Sequence, residues 1–155
     1  MTGWSTDEHV PIRVLVAVDD SPAALAAVDV AVALSTRVGA DLRFVNVVQD
    51  GELVAGLRTM GREGGLAERQ GAAATAVLRH VAARARRAGV EADTLSVEGD
   101  PAPCILEQAA EWLADVVVVG RSDVRGSGLP YVGTVTRHVI EFSPRPVLVV
   151  PRPER

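Results

Sequence analysis

Residues 115–150 hold the parts of an anion site. Val116-Val117-Val118-Val119 is a β-branched run, as in a strand buried on both faces of a parallel sheet, and it stops at Gly120. A polar loop with Gly126 and Gly128 follows, and Gly133-Thr134 then opens a helical pattern. A helix N-terminus presents unpaired N–H groups and a partial positive charge to an anion. Open α/β sheets bind ligands beyond the carboxyl ends of their strands. Asp19, just past the first strand, and Val47-Val48, which ends the second, converge on the same edge. An adenosine there would set its base against apolar strand ends and offer its ribose hydroxyls to a carboxylate. Its phosphates would lie on the loop and the helix N-terminus. Asp123, inside that loop, adds a negative charge to the phosphate surroundings.

Catalytic signatures are missing. There is no Gly-x4-Gly-Lys-Ser/Thr loop, and Gly120-Arg121-Ser122-Asp123-Val124 lacks the final glycine of a nucleophile elbow. Gly126-Ser127-Gly128 runs on into Leu129-Pro130-Tyr131, so it is no dinucleotide fingerprint. All 16 basic residues are arginine, which leaves no lysine as a point charge for phosphate. His9, His80 and His138 are dispersed, with no partner at metal or catalytic spacing. Cys104 is alone, which excludes an internal disulfide and a multi-cysteine metal site. Its apolar helical surroundings predict a small buried hydrophobe. No metal site and no catalytic residues are expected.

Composition narrows the partners. A net charge of −4 argues against nucleic acid, whose binding rests on cationic contacts to phosphate. Arg79, Arg84, Arg86 and Arg87 read as a solvated helix face. No apolar run approaches the ~20 residues of a membrane helix, and Met1–His9 lacks the basic and apolar regions of a signal peptide. A cytoplasmic protein without a membrane partner is expected.

The elements that must position these residues follow from periodicity. Ile12–Val18 reads as strand one, Ser21 as an N-cap and Pro22 as the first helical residue. The helix runs through Ala23–Val38 and stops at Gly39, and Asp41–Val48 is strand two. Such a unit implies a right-handed parallel crossover. Gln49–Gly65 holds five glycines and reads as a long loop with at most one helical turn. Ala74, Val77, Leu78, Val81, Ala85 and Ala88 mark an amphipathic helix ended by Gly89. Val90–Val97 is strand three, and Asp100 caps the next helix with Pro101 at its first position. Strand four is Val116–Val119, the last helix about Thr134–Phe142, and strand five Pro146–Val150. The expected fold is a doubly wound α/β domain with an open parallel five-stranded sheet and helices on both faces. With order 3-2-1-4-5, strands one and four meet at the switch point. Residues 11–151 form the single domain, 1–10 a flexible N-terminus and 152–155 a tail.

The chain resembles the universal stress protein family, of the UspA-like type, over nearly its full length. The resemblance rests on Val14-Leu15-Val16-Ala17-Val18-Asp19-Asp20-Ser21, Gly99-Asp100-Pro101, Asp115 through Gly120, and Ser143-Pro144-Arg145-Pro146 through Val150. It implies a Rossmann-like, adenine nucleotide alpha hydrolase-like fold. Nucleotide-binding members carry Gly-x2-Gly-x9-Gly-Ser/Thr after strand four. Here Gly120 and Gly133-Thr134 are in register, and Asp123 replaces the second glycine. The resemblance implies Ala17 and Val47 near the adenine, Asp19 near the ribose, and Val119 and Gly120 near the sugar-phosphate. It places Gly133, Thr134 and Val135 at the phosphates. Plainer readings also fit: Gly120 and Gly133 suit turns, Asp19 suits a loop, and Thr134 is an N-cap either way.

Asp123 removes conformational freedom and adds bulk and charge. Each like-charge contact with phosphate costs on the order of 1 kcal/mol, about fivefold to tenfold in affinity. Arg121 and Arg125 flank it, and its carboxylate also suits a Mg²⁺ bridging the phosphates. The expectation is a regulatory protein that binds ATP, ADP or AMP, with or without Mg²⁺, at weakened affinity. Slow ATP hydrolysis stays open within the family. The alternative is a member without nucleotide, acting through protein contacts, and a hydrolase ranks last. Strand five, Pro146–Val150, is apolar and at the sheet edge, so a two-fold antiparallel homodimer is expected, as the resemblance also implies.

Overall fold

The computed structural model describes residues 11–49, 64–121 and 132–153. Five parallel strands, β1 (Arg13–Ala17), β2 (Asp41–Val48), β3 (Ala92–Glu98), β4 (Val116–Gly120) and β5 (Val147–Val150), form one sheet in the order β3-β2-β1-β4-β5. Among the described residues the helices are α1 (Pro22–Val38), α2 (Gly64–Arg87), α3 (Pro101–Glu111) and α4 (Thr134–Phe142). This is the expected doubly wound topology. Val16 lies beside Phe44 on one flank and Val118 on the other, which places β1 at the centre.

Strand alternation builds two cores. Val14, Val16, Phe44 and Val118 face α1 and α2, where they meet Val28, Ala31, Leu78 and Val81. Leu15, Val45, Val117 and Val119 face the other way, onto Ile105 and Ala109 of α3 and Val139 of α4. The alanine-rich inner face of α1 lets that helix lie close against the strands. Across the first layer, Arg84 of α2 forms a two-pronged ion pair with Asp29 of α1, its Nη2 donating to Asp29 Oδ2 at 2.6 Å. That hydrogen bond raises the Arg84 pKa. Arg86 pairs with Glu91 at 3.3 Å. The basic run is thus partly engaged in ion pairs rather than wholly solvated, although exposed pairs contribute at most about 1 kcal/mol.

The amino and carboxyl edges of the sheet differ. At the amino edge the Arg13 N–H donates to Asp115 Oδ2 (2.8 Å) and its Nη1 to the Trp112 carbonyl (3.1 Å). The Arg43 guanidinium lies 4.6 Å above the Trp112 ring. The carboxyl edge carries a cleft.

Several boundaries depart from the sequence reading. Helix α2 begins at Gly64, ten residues before its apolar stripe, because Leu66, Ala67, Glu68, Arg69 and Gln70 sustain a helix by propensity without burying a face. The rest of the expected glycine-rich loop, 50–63, lies outside the described residues, as do 1–10, 154 and 155. Strand β3 begins at Ala92, since the Val90 N–H is used to close α2 on the Ala85 carbonyl (3.0 Å). Asp100 stands at the N-cap of α3 without a side-chain cap bond. Pro101 and Pro103 remove the first and third helical amides, so only one of the two donors such a cap uses remains. Cys104 is half-buried instead of buried, its Sγ 3.6 Å from the Glu98 carbonyl.

Helix α3 closes in an unusual way. Leu113 N–H donates to Ala110 O (3.1 Å) and Ala114 N–H to Ala109 O (2.8 Å), a Schellman closure. It requires a left-handed residue, which is Leu113 at φ 56°. The equivalent positions after α1 and α2 are Gly39 and Gly89. A side chain in that region costs about 1–2 kcal/mol, and Leu113 is 56% exposed, so little packing offsets the strain. Leu113→Gly is therefore expected to stabilise the fold by about 1 kcal/mol. Urea unfolding should show a higher midpoint with an unchanged slope; a lower midpoint would mean that the leucine packs to net advantage.

Candidate functional site

The cleft sits where β1 and β4 end side by side and the chain turns off in opposite directions. Its volume is about 210 Å³, at the small end of ligand sites. Of the residues expected to form a site, Ala17, Asp19, Val47, Val119, Gly120 and Val135 line it together. Gly133 and Thr134 are not among its lining: Gly133 is buried and Thr134 is exposed. Asp123 lies outside the described residues.

The apolar wall has a simple origin. Strands buried on both faces carry branched aliphatic side chains close to their carboxyl ends, so Val45, Val47 and Val119 line the cleft with Ile105 of α3. The polar wall is the turn after β1. Asp19 Oδ1 accepts from the Ser21 N–H (2.8 Å), and Ser21 Oγ accepts from the Ala24 N–H (3.1 Å). This Asx turn and N-cap fix the Asp19 carboxylate in place. Its second oxygen suits a vicinal pair of hydroxyls. Asn46, 8% exposed, supports this wall by donating from Nδ2 to the Val18 carbonyl (2.9 Å), while the Val18 N–H donates to Val45 O (2.8 Å).

Gly120 carries a packing role as well as a site role. A Cβ placed on it would lie 2.5 Å from the Ala23 carbonyl carbon and 2.6 Å from its oxygen. Backbone meets backbone there, so no side chain can swing aside. The end of β4 thus touches the first turn of α1, and only glycine permits the approach. The plain turn reading of Gly120 understated this constraint. The carbonyl of Gly120 accepts from Thr136 Oγ1 (2.9 Å).

Helix α4 supplies the anion-facing end. Gly133 is its N-cap, at φ −59° and ψ 161°, and as a glycine it brings no capping side chain. Thr134 is thus the first helical residue rather than the cap, because the extended residue that precedes the helix is Gly133. The first intrahelical bond is Arg137 N–H to Gly133 O (2.9 Å). The amides of Thr134, Val135 and Thr136 precede it and have no acceptor within the helix. Asp19 and the first-turn residues Val135 and Thr136 line the same cleft, so the arrangement can hold a polar ligand with an apolar body and an anionic tail. No group of three or more His, Cys, Asp or Glu that could hold a metal occurs among the described residues. Desolvation, then the Glu107 and Asp100 charges, push the Cys104 thiol pKa up, the opposite of an activated nucleophile.

Sequence reasoning missed Thr136, Ile105, Pro101 and Gln49, which also line the cleft. Gln49 and Pro101 follow the carboxyl ends of β2 and β3, so extending the strand-end rule to every strand would have found them. Thr136 gave no comparable signal, since its hydroxyl partner lies 16 residues away in sequence.

Comparison with known proteins agrees with this fold. The model of the universal stress protein family matches residues 12–151. The universal stress protein YxiE of Bacillus subtilis is 27% identical over 89% of this chain and 97% of its own length. The structure of universal stress protein UspA from Lactobacillus plantarum superposes with a TM-score of 0.75 at 25% identity, over 90% of this chain and 97% of that one. A universal stress protein in complex with cAMP matches with a TM-score of 0.65 at 26% identity, over 92% of this chain and 98% of that one.

The Gly120 contact yields a direct test. Gly120→Ala is expected to destabilise the fold by about 1–3 kcal/mol through overpacking against the α1 backbone. Chemical denaturation measures it, and a change below the experimental error would show that α1 moves aside freely.

Proposed function

The chain belongs to the universal stress protein family, and on that premise we propose that it is a regulatory protein that binds an adenine nucleotide, ATP, ADP or AMP, and is no enzyme. One observation supports the reading above others: a single small cleft joins apolar strand ends, the fixed Asp19 carboxylate and the N-terminus of α4. These match the three chemical parts of a nucleotide: a flat apolar base, a hydroxyl-bearing ribose and an anion. In this arrangement Ala17 and Val47 flank the adenine, Asp19 accepts from the ribose hydroxyls, and Val119 and Gly120 border the sugar. The amides of Thr134 and Val135 meet the phosphate, with Gly133 as the extended residue that starts the helix. The relative in complex with cAMP adds support from a ligand of the same class. The described cleft pairs no nucleophile with a general base, which favours binding without turnover. No helix among the described residues is long and apolar enough to cross a membrane. A cytoplasmic site of action in the stress response is part of the same proposal.

The proposal includes a homodimer through β5. Leu148 on this edge strand is 37% exposed, and Ile140 and Phe142 of the neighbouring α4 are 46% and 58% exposed. An apolar edge with unpaired backbone groups invites pairing with its own copy. Light scattering at micromolar concentration should give twice the monomer mass, and Leu148→Asp, at the exposed residue of β5, should return it to the monomer value. A monomeric mass for the native chain would refute the dimer.

Nucleotide binding has its own tests. Calorimetry is expected to show binding of AMP, ADP or ATP that weakens at least tenfold in Gly133→Val, whose branched side chain obstructs the helix amides. No heat with any of the three, with Mg²⁺ present, would favour the rival reading of a family member that works through protein contacts alone. Asp123→Gly is expected to tighten ATP about fivefold to tenfold, as removal of one like charge should, and to leave adenosine unchanged. Equal changes for both ligands would remove the charge argument. A loss of ATP affinity only when Mg²⁺ is present would make Asp123 a metal ligand.

A further inference from the structure

Thr136 is the third residue of α4, 4% exposed, and its hydroxyl does not turn back to its own helix. It donates instead to the carbonyl of Gly120 at 2.9 Å, across the connection from β4 to α4. Gly120 is itself held against the α1 backbone, where even a methyl group has no room. Its carbonyl is therefore a fixed point. Of the other residues of α4, Val139 is fully buried and Val135 packs against the same core, both apolar. Apolar contacts are non-directional, so they hold a short helix against a sheet without setting its position along its own axis. A hydrogen bond depends steeply on distance and angle, and this one ties the buried side of α4 to a fixed carbonyl.

The amides that the helix leaves without an internal acceptor belong to Thr134, Val135 and Thr136, in the same turn as the hydroxyl. Moving α4 along its axis moves all three donors relative to the cleft. We propose that Thr136 is the positioning residue for the ligand's phosphate. Its bond to the Gly120 carbonyl holds the first-turn amides of α4 at hydrogen-bonding distance from a phosphate whose nucleoside is fixed by β1 and β2. This rests on the nucleotide reading above and adds a residue, and a division of labour, to it. The nucleoside half of the site is independent of Thr136, and the phosphate half depends on it. Thr136 makes this contribution through Gly120 and need not touch the phosphate with its side chain.

The experiment compares adenosine and AMP by calorimetry on the full chain and on Thr136→Val, Thr136→Ala and Thr136→Ser. Native protein is expected to bind AMP more tightly than adenosine. Thr136→Val keeps the shape and loses the hydroxyl; its AMP affinity should fall at least tenfold while adenosine affinity stays within about twofold. Thr136→Ala should lose AMP preference likewise, and Thr136→Ser, which keeps the hydroxyl, should retain it even though its melting temperature drops. Should Val and Ala variants fail to fold, the serine variant decides: retained preference supports the proposal and lost preference overturns it. A merely structural role would lower both ligands together in step with the melting temperature, and that result overturns the proposal. So does a valine variant that keeps the native AMP preference. A native chain that binds both ligands equally removes the positioning role and leaves the nucleotide reading standing, whereas one that binds neither removes both.

Discussion

The contact on which the carboxyl edge depends is the approach of Gly120 to the peptide joining Ala23 and Ala24. It brings the last residue of β4 against the first turn of α1 at a distance that excludes any side chain. Because β1 leads into α1 and β4 leads towards α4, this one close approach fixes where two chain segments leave the sheet. The cleft is the space between those exits. A bulkier residue at 120 would separate the helix from the strand, and the Asp19 turn and the α4 amides would lose their common frame. Positional precision here comes from the absence of a side chain, which cannot be read as a chemical group.

Much of this architecture was legible in the amino-acid pattern. The four valines before Gly120, the Ser21-Pro22 start of α1 and the glycines after α1 and α2 all act locally, through strand burial, capping and left-handed closure. Each is visible in a window of a few residues. The strand order and most of the apolar cleft wall followed from them. What escaped notice is non-local or silent. Thr136 finds its partner across the β4–α4 connection, and the steric need for Gly120 comes from an alanine pair nearly a hundred positions earlier. The first ten residues of α2 bury no continuous face, so a method based on apolar periodicity passes over them. Pro103 shows a further gap, since it removes one amide that Asp100 was expected to cap.

Charge is distributed unevenly between the two ends of the sheet. At the amino edge, arginine side chains are engaged with a carboxylate, a carbonyl and the Trp112 ring. At the carboxyl edge the described cleft lining contains no arginine, and the chain has no lysine anywhere. Positive potential there comes from oriented backbone amides, whose position is set by the fold rather than by flexible side chains. Such a site is only as well formed as the helix that carries it, which is why a short helix such as α4 needs a directional anchor.

The cleft draws on residues between 17 and 49 and on residues between 101 and 136, which the central pairing of β1 with β4 helps bring together. No contiguous fragment contains it. A molecule bound there therefore interacts with the native state and has almost nothing to hold in the unfolded chain, so binding and global folding are thermodynamically linked. At a free concentration one hundred times its dissociation constant, such a ligand adds about 2.7 kcal/mol to the stability of the whole domain, a large share of a typical folding free energy. The central strand pair thereby makes occupancy of one small cleft a property of the entire polypeptide, registered as resistance to unfolding and proteolysis at sites far from the ligand.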